Sequence, residues 1–191
     1  MDGLSVDVAP SDLLARRLTV LPQASEIAPR LTVAQLVRFG RYPHSKGRPT
    51  VDCLAKIDEA IDRFQLNPLR DRMIDTLYGW QRQRALLAMA YAQDTDYLLL
   101  DEPLNNLDIA AARHLVKMLR NMAETEAKTI LIVLHDINFA SVYADRVIAL
   151  RDGQIVANGT PNEVITASTL VDVFDTDASV ISVDGSPLVV V

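Results

Sequence analysis

The chain has little cysteine, no long apolar run and no excess of positive charge, and each lack excludes a class of protein. A single cysteine, Cys53, rules out an intramolecular disulfide and fits a reducing compartment. No apolar run approaches the length of a membrane span, so we expect no direct insertion into a membrane. The formal net charge is −6, which argues against nucleic acid as a partner, because that binding depends mainly on neutralising phosphates.

The first twelve residues, MDGLSVDVAPSD, are acidic and lack the apolar region of a signal peptide, so a cytoplasmic chain is expected. Apolar residues make up 49% of the chain and charged residues 23%, a balance that predicts a packed core rather than disorder. A length of 191 residues suits one domain, residues 1–191, with room for a small subdomain.

Short apolar runs and helical repeats alternate along the chain. Runs typical of buried strands occupy residues 17–22, 96–100, 129–134 and 146–150. Helical patterns occupy most of 32–93, then 109–122, 138–143, 161–166 and 168–174. Asp152-Gly153 and Asp184-Gly185 are turn signals for two hairpins. Strands alternating with helices predict an α/β fold with a mainly parallel sheet.

Two adjacent carboxylates end one of the buried strands. In YLLLDEPLNNLD, residues 97–108, three leucines run into Asp101 and Glu102, and Asp108 follows six residues after Glu102. Open parallel sheets bind their ligands at the carboxyl ends of the strands, where this pair lies. Magnesium bound to phosphate is the chemistry that such a pair suggests. From spacing alone, the alternative that the pair only caps the strand or the next helix stays open.

Several segments together resemble the nucleotide-binding subunit of ATP-binding cassette (ABC) transporters. LTVLPQ (18–23) is similar to the Q-loop, DYLLLDEPLNNLD (96–108) to the Walker B strand with its D-loop, and 129–164 to the H-loop with the strands after it, in family order. LTVAQLVRFGRYPHSKGR (31–48) and HDINFASVYAD (135–145) are most similar to ferric-siderophore importers. The resemblance implies a partial P-loop NTPase (RecA-like) parallel sheet that lacks the P-loop strand, with an inserted helical subdomain at 24–93.

The resemblance also implies roles for individual residues. Asp101 would hold Mg²⁺, and Glu102 would act as the general base toward the attacking water. Gln23 would reach the metal and the water and report the nucleotide state to the helical subdomain. His135 would contact the γ-phosphate and brace Glu102. Asp108 would face the partner subunit, and an N-cap for the helix that follows is a compatible alternative.

The signature segment departs from the family pattern L-S-G-G-Q. Here it reads LYGWQ, with Tyr78 in place of the serine and Trp80 in place of a glycine. Helix N-termini suit phosphate because free N–H groups and the helix dipole point at the anion. Gly79 and Gln81 are therefore the residues expected to keep nucleotide contacts. The alternative, that this helix is now only structural, stays open.

The phosphate-binding pattern G-x-x-x-x-G-K-[ST] is missing from the chain. The nearest imitation, GRYPHSKG at 40–47, has Ser45 where the second glycine belongs and lies after Gln23, against the family order. We therefore expect an amino-terminally truncated chain that binds ATP poorly alone. By family topology the P-loop strand lies between the strand at 129–134 and the strand at 146–150. Its loss predicts an unpaired edge or a strained direct closure, with low stability and poor solubility.

The expected function is an ATP-binding and ATP-hydrolysing subunit of an importer for iron(III)-siderophores. The resemblance implies ATP and Mg²⁺ as cofactors, membrane permease subunits and a second ABC subunit in a head-to-tail homodimer as partners, and a peripheral place on the inner face of the cell membrane. The alternative is a degenerate, non-catalytic module that acts only as a dimerisation partner or has no activity. A cassette ATPase of translation or DNA repair is disfavoured, since no second cassette, long coiled coil or basic arm is present.

A small cluster of basic residues lies in the segment before Thr50. Its members are Arg38, Arg41, His44, Lys46 and Arg48. We expect this cluster to form a solvated face. His44, His114 and Cys53 do not form a convincing metal site.

Overall fold

The computed structural model describes residues 3, 5–23, 30–105 and 107–190, which form two compact units, Met1–Val133 and Leu134–Val191. The first unit contains a parallel sheet of three strands in the order β1-β2-β3. Its strands are β1 (Leu18–Leu21), β2 (Tyr97–Asp101) and β3 (Thr129–Val133). Its helices are α1 (Ser11–Leu14), α2 (Val33–Gly40), α3 (Tyr42–Ser45), α4 (Val51–Arg63), α5 (Gly79–Ala92) and α6 (Ile109–Glu126).

One face of this sheet packs on the core, and the other is open. Leu21, Leu98 and Leu100 on the core face are buried. We call the opposite face the open face. It carries Val20, Leu131 and Val133, whose side chains are 57%, 49% and 50% exposed. Sheets built only of parallel strands are normally covered on both faces. The open face is therefore an unusual apolar surface for a sheet of this kind.

The outer edge of β3 forms no strand pair within the described residues. Among the described residues, β3 pairs with β2 alone, and the strand at Val147–Arg151 pairs only with the strand after it. The expectation of an unpaired edge is confirmed, and the alternative of a direct closure between these two strands is not met.

Helix α4 starts where the sequence predicts. The Thr50 hydroxyl accepts a hydrogen bond from the Cys53 amide at 3.3 Å and caps α4, as expected. Ile57 and Ile61 on α4 are buried, whereas Leu54 is 48% exposed because buried Cys53 faces the core one position earlier. Residues 24–29 of the predicted subdomain lie outside the described residues, and its bounds, 24–93, stay a prediction.

Helices α2 and α5 pack closely through a glycine. A Cβ atom built on Gly40 would lie 2.1 Å from the carbonyl oxygen of Met89 and 3.2 Å from the Cβ of Ala92. Any side chain at position 40 would therefore push α2 away from α5.

The prediction of a solvated basic face is wrong for Arg41. Its side chain is 4% exposed, and its guanidinium donates to the Ala92 carbonyl oxygen at 2.9 Å and lies 3.6 Å from Asp52. His44 Nε2 lies 2.8 Å from the Gln93 carbonyl oxygen. The cause is the end of α5, whose last carbonyl groups lack partners within the helix and accept these side chains instead.

The second unit contains two antiparallel hairpins and three helices. The strands are β4 (Val147–Arg151), β5 (Gln154–Gly159), β6 (Ser179–Val183) and β7 (Ser186–Val190), and the helices are α7 (Ile137–Tyr143), α8 (Pro161–Val164) and α9 (Ala167–Phe174). Both turns have positive φ at the aspartate and at the glycine, as two-residue turns of this kind require, so both predicted hairpins are confirmed. None of the helices in the described part of the chain has the length and hydropathy of a membrane span.

Candidate functional site

Gln23 and Glu102 meet at the carboxyl edge of the parallel sheet. The register sets Leu21 beside Leu100, so the residues that follow β1 and β2 emerge side by side. The side-chain amide of Gln23 donates a hydrogen bond to Glu102 Oε2. The side-chain amide of Asn105 donates to the same oxygen. One oxygen of the Glu102 carboxylate is therefore held by two side-chain amides.

The Glu102 backbone adopts an uncommon conformation. Its φ is 50°, in the left-handed region that a residue with a side chain enters at a cost of about 1–2 kcal/mol. Its amide donates to the Val133 carbonyl oxygen at 3.2 Å, and its own carbonyl accepts the Asn105 amide at 3.2 Å. These two bonds hold the turn that carries the Glu102 carboxylate. The sequence gives no signal of this conformation.

Asp101 is the last residue of β2 and is exposed at the same edge. No group of three His, Cys, Asp or Glu side chains in the described residues could hold a metal ion. Mg²⁺ prefers one or two carboxylates together with phosphate oxygens and water. The residues at this edge therefore fit Mg²⁺ only as part of a shell that a phosphate ligand completes.

His135 belongs to the second unit, two residues beyond the end of β3, and its side chain is exposed. The next residue, Asp136, caps α7 by accepting the Asn138 amide at 2.9 Å and the Phe139 amide at 3.4 Å. The cap orients the loop that carries His135, whose part in catalysis stays a prediction.

Helix α5 starts at the altered signature segment. Gly79 is its first residue, and a Cβ atom built there would meet nothing within 4 Å. Gln81 Oε1 accepts the Tyr78 amide at 3.1 Å, so this side chain caps its own helix. Glutamine three residues after a helix N-cap is a capping signal that the sequence analysis missed. Tyr78 is 73% exposed and Trp80 41% exposed, beside the open approach to Gly79.

Asp108 caps α6. Its Oδ1 accepts the Ala111 amide at 2.8 Å, which confirms the N-cap interpretation. Gln23 and Glu102 are two predicted site residues that a hydrogen bond brings into direct contact. The interface role of Asp108 stays a prediction.

Comparison with known proteins places this geometry in a family. A family model described as ABC transporter matches residues 2–105. The chain belongs to the ABC transporter family. The petrobactin import ATP-binding protein YclP of Bacillus subtilis is 44% identical over 96% of this chain and 73% of its own length. The petrobactin import ATP-binding protein FatE of Bacillus anthracis is 46% identical over 98% of this chain and 75% of its own length.

Solved structures of ABC transporters share the fold. An ABC transporter assigned to the metal-chelate type, in an inward-facing conformation, superposes with a TM-score of 0.82 at 23% identity, over 91% of this chain and 72% of that chain. The ABC chain described here thus has the expected α/β fold, a partial RecA-like P-loop NTPase domain. It spans about three quarters of the length of the petrobactin relatives.

Proposed function

We propose that this ABC chain is the ATP-binding and ATP-hydrolysing subunit of an importer for iron(III)-siderophores. The observation that carries the proposal is the carboxylate of Glu102, held by Gln23 and Asn105 beside exposed Asp101 at the carboxyl edge of the sheet. The substrate class comes from the two relatives, both described as petrobactin import ATP-binding proteins.

The chemistry follows from what each side chain can do. Glu102 accepts a proton from the attacking water, and its two amide donors keep the carboxylate aimed at one place. Asp101 holds Mg²⁺, which supplies charge neutralisation at the phosphates when bound. Gly79 offers backbone amides at the start of α5, and Gln81 supports them through its cap on Tyr78. His135 contacts the γ-phosphate.

The partners follow from the same proposal. Two ABC subunits pair head to tail, with Asp108 facing the partner, and the pair drives membrane permease subunits from the inner face of the membrane. No phosphate loop with its lysine occurs within these 191 residues. The triphosphate must therefore be held in part by groups outside them, and we propose that the isolated 191-residue chain binds Mg-ATP only weakly.

A transport assay tests the main proposal. The chain is expressed in a Bacillus subtilis strain that lacks YclP but keeps its permease, and petrobactin-dependent iron uptake is measured. We expect uptake to return and to fall by at least about 100-fold with Glu102→Gln, the size of loss typical for removal of a general base. Glu124→Gln, a change on the exposed side of α6, is the matched control. No uptake from a folded, expressed chain would overturn the proposal of ATP hydrolysis.

Titration calorimetry of Mg-ATP into the isolated chain tests the weak binding. Micromolar affinity would contradict it. Weak binding to the isolated chain leaves the transport proposal standing only if groups outside these 191 residues complete the nucleotide site in the assembly.

One observation favours a second candidate, a non-catalytic module that pairs with an intact subunit. Tyr78 and Trp80 place bulky, exposed rings beside Gly79, where a phosphate would have to approach the backbone. This candidate predicts that the chain co-purifies with YclP but restores no uptake. The double change Tyr78→Ser and Trp80→Gly discriminates further, because it would raise uptake only if the rings are what blocks the phosphate.

A further inference from the structure

A groove lies within the first unit between the first halves of α5 and α6. Gln65, just past the end of α4, lies beside it. Its volume is about 280 Å³, close to the lower limit for small-molecule sites. We call it the α5–α6 groove; the residues that matter most in it are Trp80, Arg84, Leu107, His114, Leu115 and Met118. It does not include Gln23, Asp101 or Glu102 and is therefore separate from the sheet-edge site.

The walls of the α5–α6 groove are mostly apolar. Leu107, Leu115 and Met118 supply hydrocarbon and thioether surface, and Trp80 adds an indole ring that is 41% exposed. Thioether sulfur and indole both make favourable contacts with aromatic rings. These walls suit a flat apolar ring more than a sugar or a peptide backbone.

Arg84 gives the groove an unpaired positive charge. Its guanidinium lies 4.5 Å from the centre of the Trp80 ring, and its Nε is buried without a hydrogen-bond acceptor. Burial lowers the pKa of this guanidinium from its usual value. Within the described part of the chain no carboxylate lines the groove, although the chain as a whole carries a net charge of −6. A partly buried cation of this kind is usually paired with an anion, and within the described residues Arg84 has none.

Other polar side chains around the groove also lack hydrogen-bond partners among the described residues. The side chains of His114 and Gln83 make no hydrogen bond or ion pair with the rest of the described chain. The Gln65 side chain makes none either, and its backbone has a φ of 54° just past the end of α4. Arg84, Gln83 and Gln65 are all donors, so the groove offers N–H groups without competing negative charge.

We propose that the α5–α6 groove binds a small aromatic molecule that carries one anionic group. The ring lies against Met118 and Leu115 beside the Trp80 indole, and the carboxylate or sulfonate pairs with Arg84. Selectivity for an anion comes from the absence of acidic residues in the wall, and selectivity for a ring comes from the apolar surface. The proposal does not depend on ATP binding or on transport.

The single tryptophan gives a direct readout at the site. The probe is 2-naphthoate, titrated into the full chain while the indole N–H resonance of Trp80 is followed by NMR. The neutral amide of the same ring system, 2-naphthamide, is the ligand control. We expect the carboxylate to shift the Trp80 resonance in a saturable way and to bind about tenfold more tightly than the amide, as a charge-assisted hydrogen bond implies.

Variants of two neighbouring arginines on α5 complete the test. Arg84→Met keeps the length of the side chain and removes its charge, and it should weaken 2-naphthoate about tenfold while leaving 2-naphthamide unchanged. Arg82→Met, on the same helix but outside the groove, should change neither. Circular dichroism checks that each variant folds, and Arg84→Lys, which restores a charge, should recover part of the affinity if Arg84→Met is unstable.

Three results would overturn the proposal. The first is no saturable shift of the Trp80 resonance at millimolar 2-naphthoate. The second is equal affinity for the carboxylate and the amide. The third is equal weakening by Arg82→Met and Arg84→Met.

Discussion

The side-chain amide of Gln23 donates a hydrogen bond to Glu102 Oε2, and these two residues follow neighbouring parallel strands. The bond joins two chain segments that are 79 residues apart in the sequence. It fixes the orientation of the proposed general base from outside its own loop. The same bond connects that base to the segment that leads into the helical part of the first unit.

Gln23→Ala should impair function with little effect on stability. The lost hydrogen bond is exposed, so we expect the free energy of unfolding to change by no more than about 0.5 kcal/mol. Uptake in the strain that lacks YclP should fall roughly tenfold, because the carboxylate loses one of the amide donors that orient it. Gln154→Ala on the exposed strand β5 is the control. Unchanged uptake in Gln23→Ala would remove Gln23 from the site.

Gly40→Ala should destabilise the chain. The new Cβ would lie 2.1 Å from the Met89 carbonyl oxygen, and overpacking of this kind costs about 1–3 kcal/mol. Gly79→Ala is a matched control, because its Cβ would meet nothing within 4 Å and alanine favours a helix by up to about 1 kcal/mol. Urea unfolding should therefore move the two midpoints in opposite directions. A shift in the same direction would contradict the close packing of α2 on α5.

Tyr91 should make the chain less stable in alkaline solution. Its hydroxyl donates to Glu59 Oε1 at 2.8 Å, and burial, with that hydrogen bond second, raises its pKa far above the usual range. A raised pKa gives stability that is complete below the unfolded pKa, about 10, and is lost as the pH rises from there toward the folded pKa. Unfolding measured from pH 8 to pH 11 should show this loss.

Tyr91→Phe is the control for that measurement. It should cost about 1 kcal/mol at pH 7, for the lost hydrogen bond, and it should remove the alkaline loss assigned to this residue. An alkaline loss of the same size in the variant would show that another group titrates.

Asp108→Ala and Asp108→Asn separate two roles of one side chain. Alanine removes the cap on the Ala111 amide and should cost about 1 kcal/mol, whereas asparagine caps as well as aspartate and should preserve stability. Chemical unfolding measures both. If Asp108 also faces a partner subunit, Asp108→Asn should lower uptake while it remains as stable as the parent chain. Full uptake in Asp108→Asn would leave the residue with its capping role alone.

The open face should govern solubility. Leu131→Lys changes a side chain that is 49% exposed, and we expect a larger soluble fraction because a charge interrupts an apolar surface next to an unpaired strand edge. Leu98→Lys is the matched substitution on the core face, where the side chain is 4% exposed, and it should prevent folding. Sedimentation of expressed protein compares the two. The low solubility expected from the sequence would be refuted if the parent chain were already fully soluble.

Hydrophobic pattern and turn chemistry predicted the elements of this fold well. The run of three leucines before Asp101 became β2, Thr50 became a helix cap, and both Asp-Gly pairs became turns. These features depend on residues close together in the sequence, so one chain is enough to reveal them.

Structural features that depend on residues far apart in the chain could not be predicted from the sequence. Arg41 looked like a member of a solvated basic face, but the carbonyl groups at the end of α5 bind it in the interior. The left-handed backbone of Glu102 depends on the Val133 carbonyl, from another strand. The resemblance named Gln23 and Glu102 as site residues, and only the fold gave their contact.

In the described part of the chain, the three-stranded sheet has two different edge strands, β1 and β3. All three strands run the same way, so the β3 border of one molecule can continue in register with the β1 border of the next. Such head-to-tail addition can repeat from molecule to molecule, and it builds an open-ended filament when the rotation between copies does not close a ring. Self-association through these borders would therefore grow with concentration, and blocking either one with a proline would stop it in both directions.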